Sequence, residues 1–148
     1  MRDNVSKLGR VFPGLGLPTN KTAVIGPTVD LAPYNAATIY ILAGTWTDGT
    51  HTLTIEESSD GTTFTAVAPT DLVAWRAASP TDATPVKVGN AQPLAISSAD
   101  TAVSQRVGYL GGKRYLRVNC DVTGTPATGA QYDVVIIAGE PRLLPAEV

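Results

Sequence analysis

The chain has 148 residues, 43% hydrophobic and 16% charged, with a formal net charge of −2 and a sequence pI near 5.2. Such a length fits one domain with one core, and the slightly acidic balance leaves no basic face for nucleic acid. A single cysteine and a single histidine exclude an intrachain disulfide and provide no ligand set for zinc or copper. We therefore expect no cofactor.

Apolar runs are short throughout the chain. None has the length of a secretory h-region near the start, and none approaches the roughly 18 residues of a membrane span. Thr, Ala, Val, Gly and Pro are abundant, whereas the usual residues of exposed helices are scarce. We expect a soluble, all-β protein with no membrane contact and no visible export signal.

Residues 1–21 combine glycine and proline with isolated apolar residues and show neither helical nor strand periodicity. This pattern predicts an extended N-terminal arm. Apolar side chains on such an arm would lie exposed unless they packed on the body or on another subunit. Val11, Phe12, Leu15 and Leu17 are therefore candidate contact residues.

Residues 22–140 consist of strand-like stretches separated by turn residues, with no convincing helix. Residues 37–44 form a continuous apolar run that predicts a buried strand. The run at 134–137 is also apolar throughout, which predicts a central strand covered on both faces. The pattern favours an antiparallel β-sandwich or a jelly-roll-like barrel.

The clearest local pattern is a hairpin near the middle of the chain. Residues 50–58 alternate between apolar and polar side chains, as a strand with one wet face requires. Asp60 and Gly61 supply the positive φ angles of a tight turn, so we predict a second strand over 63–68. His51 begins the first strand, and we expect its side chain to be solvated.

Two segments fall outside this regular pattern. Residues 69–103 are rich in Pro, Ala, Ser and Thr, which predicts a long loop with at most a short edge strand or helical turn around Leu72 to Trp75. We expect the Trp75 side chain to be buried, although the sequence does not identify its packing partner. The tail at 141–148 leaves the sheet after a proline and adds further candidate contact residues, Arg142, Leu143 and Leu144.

The stretch GYLGGKRYLRVNC, residues 108–120, has the glycines and lysine of a phosphate-binding loop. A P-loop needs G-x-x-x-x-G-K-[ST] between a strand and a helix. Here Val107 replaces the first glycine, Arg114 replaces the hydroxyl residue, and a strand follows. We predict instead a hairpin turn in which Gly111 and Gly112 take the required φ angles.

No residues form a recognised catalytic motif. His51 lacks the partners of a triad, and Cys120 lies on the apolar face of its strand, as a buried thiol would. Glu56 and Glu57 are neighbours in a strand, so they point to opposite faces and cannot act as a glycosidase pair. We expect no enzymatic activity, no catalytic residue and no metal site.

Two kinds of binding site stay open. Calcium could be held by carboxylates in loops, with Asp30, Asp48 and Asp60 as the candidates. The sequence contains no EF-hand pattern. Exposed aromatic rings could form a flat surface that binds sugar, and the candidates are Trp46, Tyr34, Tyr40 and Tyr109. Aromatic rings more commonly cap one end of a sandwich.

Residues 29–68 and 107–145 together resemble small virion proteins of tailed bacteriophages that look like head decoration, or cement, proteins. The resemblance rests on an S-x-DG-T-x-F hairpin, the GYxGGKRYxRV segment and a final strand ending in G-x-PR. It implies a structural protein on the phage head surface, made in the host cytoplasm, that binds the major capsid protein and stabilises the head.

The resemblance also implies how such a protein would make its contacts. The two ends of the chain would contact the capsid or neighbouring copies, and the 69–103 loop would build an oligomer interface, with a trimer on a local three-fold axis as the expected assembly. The alternative function is a carbohydrate-binding or adhesion module of a phage tail or other virion appendage.

Overall fold

The computed structural model describes residues 9–15, 21–76, 86–99 and 103–141. These parts of the chain contain eleven strands, one short 3-10 turn at Pro69–Asp71 and no α-helix, which confirms the prediction of an all-β protein. The strands are β1 Gly9–Leu15, β2 Val24–Ile25, β3 Val29–Asp30, β4 Tyr34–Trp46, β5 Thr50–Ser58, β6 Thr65–Ala66, β7 Leu72–Arg76, β8 Val86–Gly89, β9 Gln105–Tyr109, β10 Tyr115–Thr123 and β11 Ala130–Pro141.

The strands form two antiparallel sheets that pack face to face. The larger sheet has six strands in the order β1-β11-β4-β9-β7-β8, and the smaller has the order β2-β10-β5-β6 with β3 also paired to β10. Both sheets keep open edges. The architecture is therefore a sandwich rather than a closed barrel.

The core lies between the sheets and follows the alternation of each strand. In β4, Ile39 and Ile41 have no exposed surface, and in β10 the same holds for Leu116, Val118 and Cys120. Cys120 thus lies on the buried face, as its position in the strand predicts.

The N-terminal arm contains a strand that the sequence pattern does not reveal. β1 pairs antiparallel with β11, from Gly9 opposite Gly139 to Leu15 opposite Val134, with a bulge between Pro13 and Leu15. A bulge breaks period-two alternation, which is why the segment reads as irregular. Gly14 lies in this bulge, where a Cβ would come within 2.8 Å of a Val134 methyl group.

The predicted hairpin forms, but the predicted tight turn is wrong, because the connection runs from residue 59 to residue 64 and of Asp60 and Gly61 only Gly61 has a positive φ. The second strand is also shorter than predicted. β5 covers Thr50–Ser58, but β6 covers only Thr65–Ala66. The turn is held by the Asp60 carboxylate, which accepts the backbone N–H groups of Thr62 and Thr63 at 2.9 and 2.8 Å. These bonds hold the pKa of Asp60 well below its usual range.

His51 is buried, so the expectation of a solvated side chain is wrong. It has the same parity in β5 as the buried Leu53 and Ile55, and its relative exposure is 0%. An isolated bridge to Ile96 covers this end of the strand. The burial of His51 therefore follows from its position in the alternation of β5 and not from the polarity of histidine.

Residues 108–120 cross from one sheet to the other, so the predicted hairpin between paired strands is wrong. β9 pairs with β4 and β7 in the large sheet, whereas β10 pairs with β5 in the small one. Gly111 and Gly112 are not among the glycines with positive φ. Gly111 is needed for space, because the Tyr109 ring lies where its Cβ would be.

The segment expected to be a long loop contains part of the large sheet. β7 pairs with β9 over its whole length, and β8 forms the sheet edge beyond it. The side chain of Gln92 then binds the small sheet, accepting the Ile55 N–H at 2.9 Å and donating to the Val67 carbonyl at 2.8 Å. The Gln92 side chain thus attaches the segment after β8 to the small sheet, where backbone strand pairing has ended.

Candidate binding surfaces

The outer face of the small sheet is polar. Arg117 and Glu56 form an ion pair of 2.6 Å across β10 and β5, and Arg117 also lies 4.0 Å from the centre of the Phe64 ring. The other outward residues of these two strands include Thr52, Thr54, Asn119 and Asp121, together with the half-buried Tyr115. On the neighbouring β2, Ile25 lies opposite Asn119 and is 59% exposed, so the face is mostly polar with one apolar residue. Such a face is typical of a sheet that meets water.

The outer face of the large sheet is apolar by comparison. Its strand register places outward side chains in rows, and the middle row runs from Pro13 through Val135, Tyr40 and Arg106 to Trp75. We call this surface the apolar sheet face and define it by the outward apolar residues of four strands, Val11, Pro13, Val135, Ile137, Tyr40, Leu42, Val73 and Trp75.

The apolar sheet face has no cover within the described parts of the chain. Val11 is 62% exposed and Leu42 is 48% exposed, while Val135, Ile137 and Trp75 are partly exposed. β11 lies between β1 and β4, so it is an interior strand, but among the described residues a second layer covers only one of its faces, and the prediction of cover on both is not met there. From strand spacing and rise, the rectangle that these residues span measures about 500 Å². It also contains the outward positions of Thr38, Arg106, Gly108 and Asp133.

Charged residues lie within the apolar sheet face and at its margins. Arg106 on β9 has its guanidinium 5.0 Å from the centre of the Trp75 ring, and Lys87 follows on β8. Asp133 lies on β11 and faces outward beside Leu42. The surface therefore carries positive charge toward β8 and negative charge toward β11.

The first and last described residues, Gly9 and Pro141, lie at the same end of the large sheet. β1 begins at Gly9 opposite Gly139, and β11 ends at Pro141 opposite Tyr34. The residues before Gly9 and after Pro141 therefore continue from neighbouring points. This placement follows from the antiparallel pairing of the first strand with the last.

A cleft of about 320 Å³ lies beside this end. Arg114 at its rim binds Asp30 with an N–O distance of 2.7 Å, and this bond lowers the pKa of the Asp30 carboxyl. Tyr109 donates to Glu57 at 2.6 Å and accepts the Lys113 N–H at 2.9 Å. Burial, followed by the bond to Glu57, raises the pKa of Tyr109, so the phenol stays neutral.

The candidate contact residues from the sequence fall in different places. Val11 and Trp75 both lie on the apolar sheet face, at opposite sides of it, on β1 and β7. Phe12 is partly buried and packs against the core and the edge of Tyr34, and Leu15 is only 2% exposed, inside its own chain. The remaining four, Leu17, Arg142, Leu143 and Leu144, lie outside the described residues.

The candidate calcium carboxylates are separate and already used. Asp30 binds Arg114, Asp60 holds its own turn, and Asp48 accepts the N–H groups of Ala127, Thr128 and Gly129. The bonds to Asp48 lower the pKa of its carboxyl. Over the described ranges, no three His, Cys, Asp or Glu side chains come together in a metal-binding arrangement.

Two buried polar side chains in the core have specific surroundings. The Cys120 Sγ lies 2.9 Å from the Tyr132 hydroxyl, and burial raises the pKa of this thiol. His51 Nε2 lies 3.1 Å from the Asp48 carbonyl, which can only accept, so the proton is on Nε2. His51 Nδ1 is buried with no hydrogen-bond partner in the described structure.

The aromatic candidates for a sugar platform are also largely used in packing. The Trp46 indole N–H donates to the Gly49 carbonyl at 2.9 Å, and its ring packs against the core. Tyr34 packs on Phe12 at the end of the sandwich, and Tyr109 is buried with its hydroxyl bonded. Tyr40 is the exception, because it lies in the middle of the apolar sheet face.

Comparison with known proteins gives no relative from which a function could be transferred. No family model matches the chain, and no curated protein and no solved structure does so either. A search of the described residues finds no helix of the length and hydrophobicity needed to cross a membrane.

Proposed function

We propose that the chain is a structural protein of a tailed-bacteriophage head, a decoration protein that binds the major capsid protein and stabilises the assembled head. The resemblance of residues 29–68 and 107–145 to small virion proteins suggests this class. The observation that carries the proposal is the pairing of β1 with β11, which places Gly9 and Pro141 at one end of the sandwich.

Two chain ends at one place suit attachment to a large surface. Segments that lie across neighbouring subunits add contact area without enlarging the core of the small protein. The sandwich would then act as the fixed body from which both segments reach the capsid.

Binding to heads that lack the protein tests this proposal. We expect the full chain to cosediment saturably with undecorated heads, and variants lacking residues 1–8 or 142–148 to bind at least about tenfold more weakly. Thr54→Ala, on the polar face of the small sheet, is the matched control and should bind as the unaltered chain does. Absence of binding by the full chain would refute the proposed function.

A further inference from the structure

We propose that the apolar sheet face is the contact surface between two copies of this chain, packed face to face about a two-fold axis parallel to the strands near β4. This inference concerns a different surface from the chain ends that we assign to the capsid. It does not depend on the proposed function, since it needs only the isolated protein.

The residue types on the face are those that dominate protein interfaces. Tyr40, Arg106 and Trp75 are consecutive in the middle row across β4, β9 and β7, and Tyr, Trp and Arg are the types enriched at interface hot spots. Val73 and Val11 lie in the adjoining row. A cluster of aromatic and β-branched side chains around one stacked arginine would lose water on both copies.

The two-fold arrangement brings the apolar residues of β1 and β7 together and places Arg106 of one copy opposite Val135 of the other, in the same row. With the axis near β4, β7 of one copy faces β1 of the other, so Val73 and Trp75 meet Val11 and Pro13. Tyr40 meets its own counterpart at the axis. Each of these contacts occurs twice, or lies on the axis itself, as an isologous interface requires.

The charges on the face are complementary under the same rotation. β9 of one copy faces β11 of the other, which brings Arg106 within about 12 Å, Cα to Cα, of Asp133 in the second copy when sheets pack about 10 Å apart. An arginine and an aspartate can bridge that span. Within one chain Arg106 lies over Trp75, on the side away from β11, and Asp133 has no ion pair in the described structure.

The edge of the sheet is a poorer contact than its face. β1 is the outer strand on one side and contains Pro13, which has no N–H to donate to an added strand. The face buries about 500 Å² on each copy, so the dimer would bury about 1,000 Å² in total, at the lower limit for a specific interface. We therefore expect a reversible, concentration-dependent dimer.

Charge reversal tests the contact. Sedimentation velocity from about 10 µM to about 1 mM should show a monomer–dimer equilibrium for the unaltered chain. Arg106→Asp and Asp133→Arg should each raise the dimer dissociation constant at least about tenfold, and the double variant should return it to within about threefold of the original value. Thr54→Arg adds a charge to the polar face of the small sheet and should leave the dissociation constant unchanged.

Three results would overturn the proposal. They are an unaltered chain that stays monomeric up to about 1 mM, a double variant that associates no better than the single variants, and association that Thr54→Arg weakens as much as Arg106→Asp does. A closed trimer would also refute the two-fold contact. Unfolding curves of every variant show whether each remains folded, and Tyr40→Ser is a second, uncharged variant expected to weaken association at least about fivefold.

Discussion

Gly111 and Gly112 are adjacent in the segment that crosses between the sheets, but they have opposite surroundings. A Cβ on Gly111 would lie 2.5 Å from the Tyr109 hydroxyl oxygen and 2.6 Å from Cζ, whereas a Cβ on Gly112 would have no neighbour within 4 Å. Neither residue has a positive φ. Alanine should therefore be tolerated at Gly112 and not at Gly111.

The cost of Gly111→Ala can be worked out from the contacts of Tyr109. The ring is buried, with 7% exposure, and its hydroxyl donates to Glu57 and accepts the Lys113 N–H. Displacing the ring breaks one hydrogen bond to a charged group, worth about 1.5–3 kcal/mol, and one neutral bond, worth about 0.5–1.5 kcal/mol. We expect Gly111→Ala to lower the free energy of unfolding by about 2–4 kcal/mol.

Gly112→Ala should have the opposite sign. Alanine restricts the unfolded chain at a position whose folded conformation it can adopt, so we expect an increase of about 0.4–1 kcal/mol. Urea unfolding followed by circular dichroism measures both variants. Equal destabilisation by the two alanines would contradict the crossing geometry, because it would mean that both glycines need a conformation that alanine cannot take. Tyr109→Phe should reduce the penalty of Gly111→Ala, since the hydroxyl bonds are then already absent.

Three further predictions concern the arm, the acid range and the thiol. Leu15→Ala should lower the free energy of unfolding by about 2–5 kcal/mol because Leu15 is buried beside β11. Val11→Ala should change the free energy of unfolding by less than about 0.5 kcal/mol. Equal effects of the two variants in urea unfolding would argue against the pairing of β1 with β11. The pKa values of Asp30, Asp48 and Asp60 are lowered from 3.8 in the folded state. Their contribution to stability is therefore fully present above about pH 4 and is lost as the pH falls through the folded values. Asp60→Asn should flatten the fall in Tm below pH 4, and an unchanged slope would contradict the Asp60 turn. Cys120 should react with a thiol reagent at neutral pH only after denaturation, because it is fully buried and its pKa is raised; rapid modification of the native protein would show that β10 opens.

Local patterns predicted the parts of the fold that depend on alternation within one strand. β5 has the predicted bounds of 50–58, and Leu116 and Val118 lie on the predicted buried face of β10. Pairing between strands is a different kind of information. Nothing within residues 108–120 specifies that β9 and β10 enter different sheets, so two glycines between two strands predict a hairpin.

The bulge in β1 hid the first strand for a related reason. Proline and two glycines within Gly9–Leu15 remove the alternation by which a strand is recognised, and only the pairing with β11 shows it. The apolar sheet face depends even more on pairing, because its side chains come from strands that are far apart in sequence. The sequence alone identifies Trp75 as a candidate contact residue, but it does not show that Trp75 lies in one row with Arg106 and Tyr40.

One sequence signal nevertheless pointed to the apolar sheet face. The run at 134–137 is apolar on both sides of its strand, which predicts cover on both faces, and the structure supplies cover on only one. Val134 and Ile136 pack into the core, whereas Val135 and Ile137 lie on the outer face. Within the described residues nothing covers this apolar side of the sheet, so its side chains are exposed to water. A second copy packed on the same face would give β11 the cover that its sequence predicts, and the charge-reversal experiment decides whether it does.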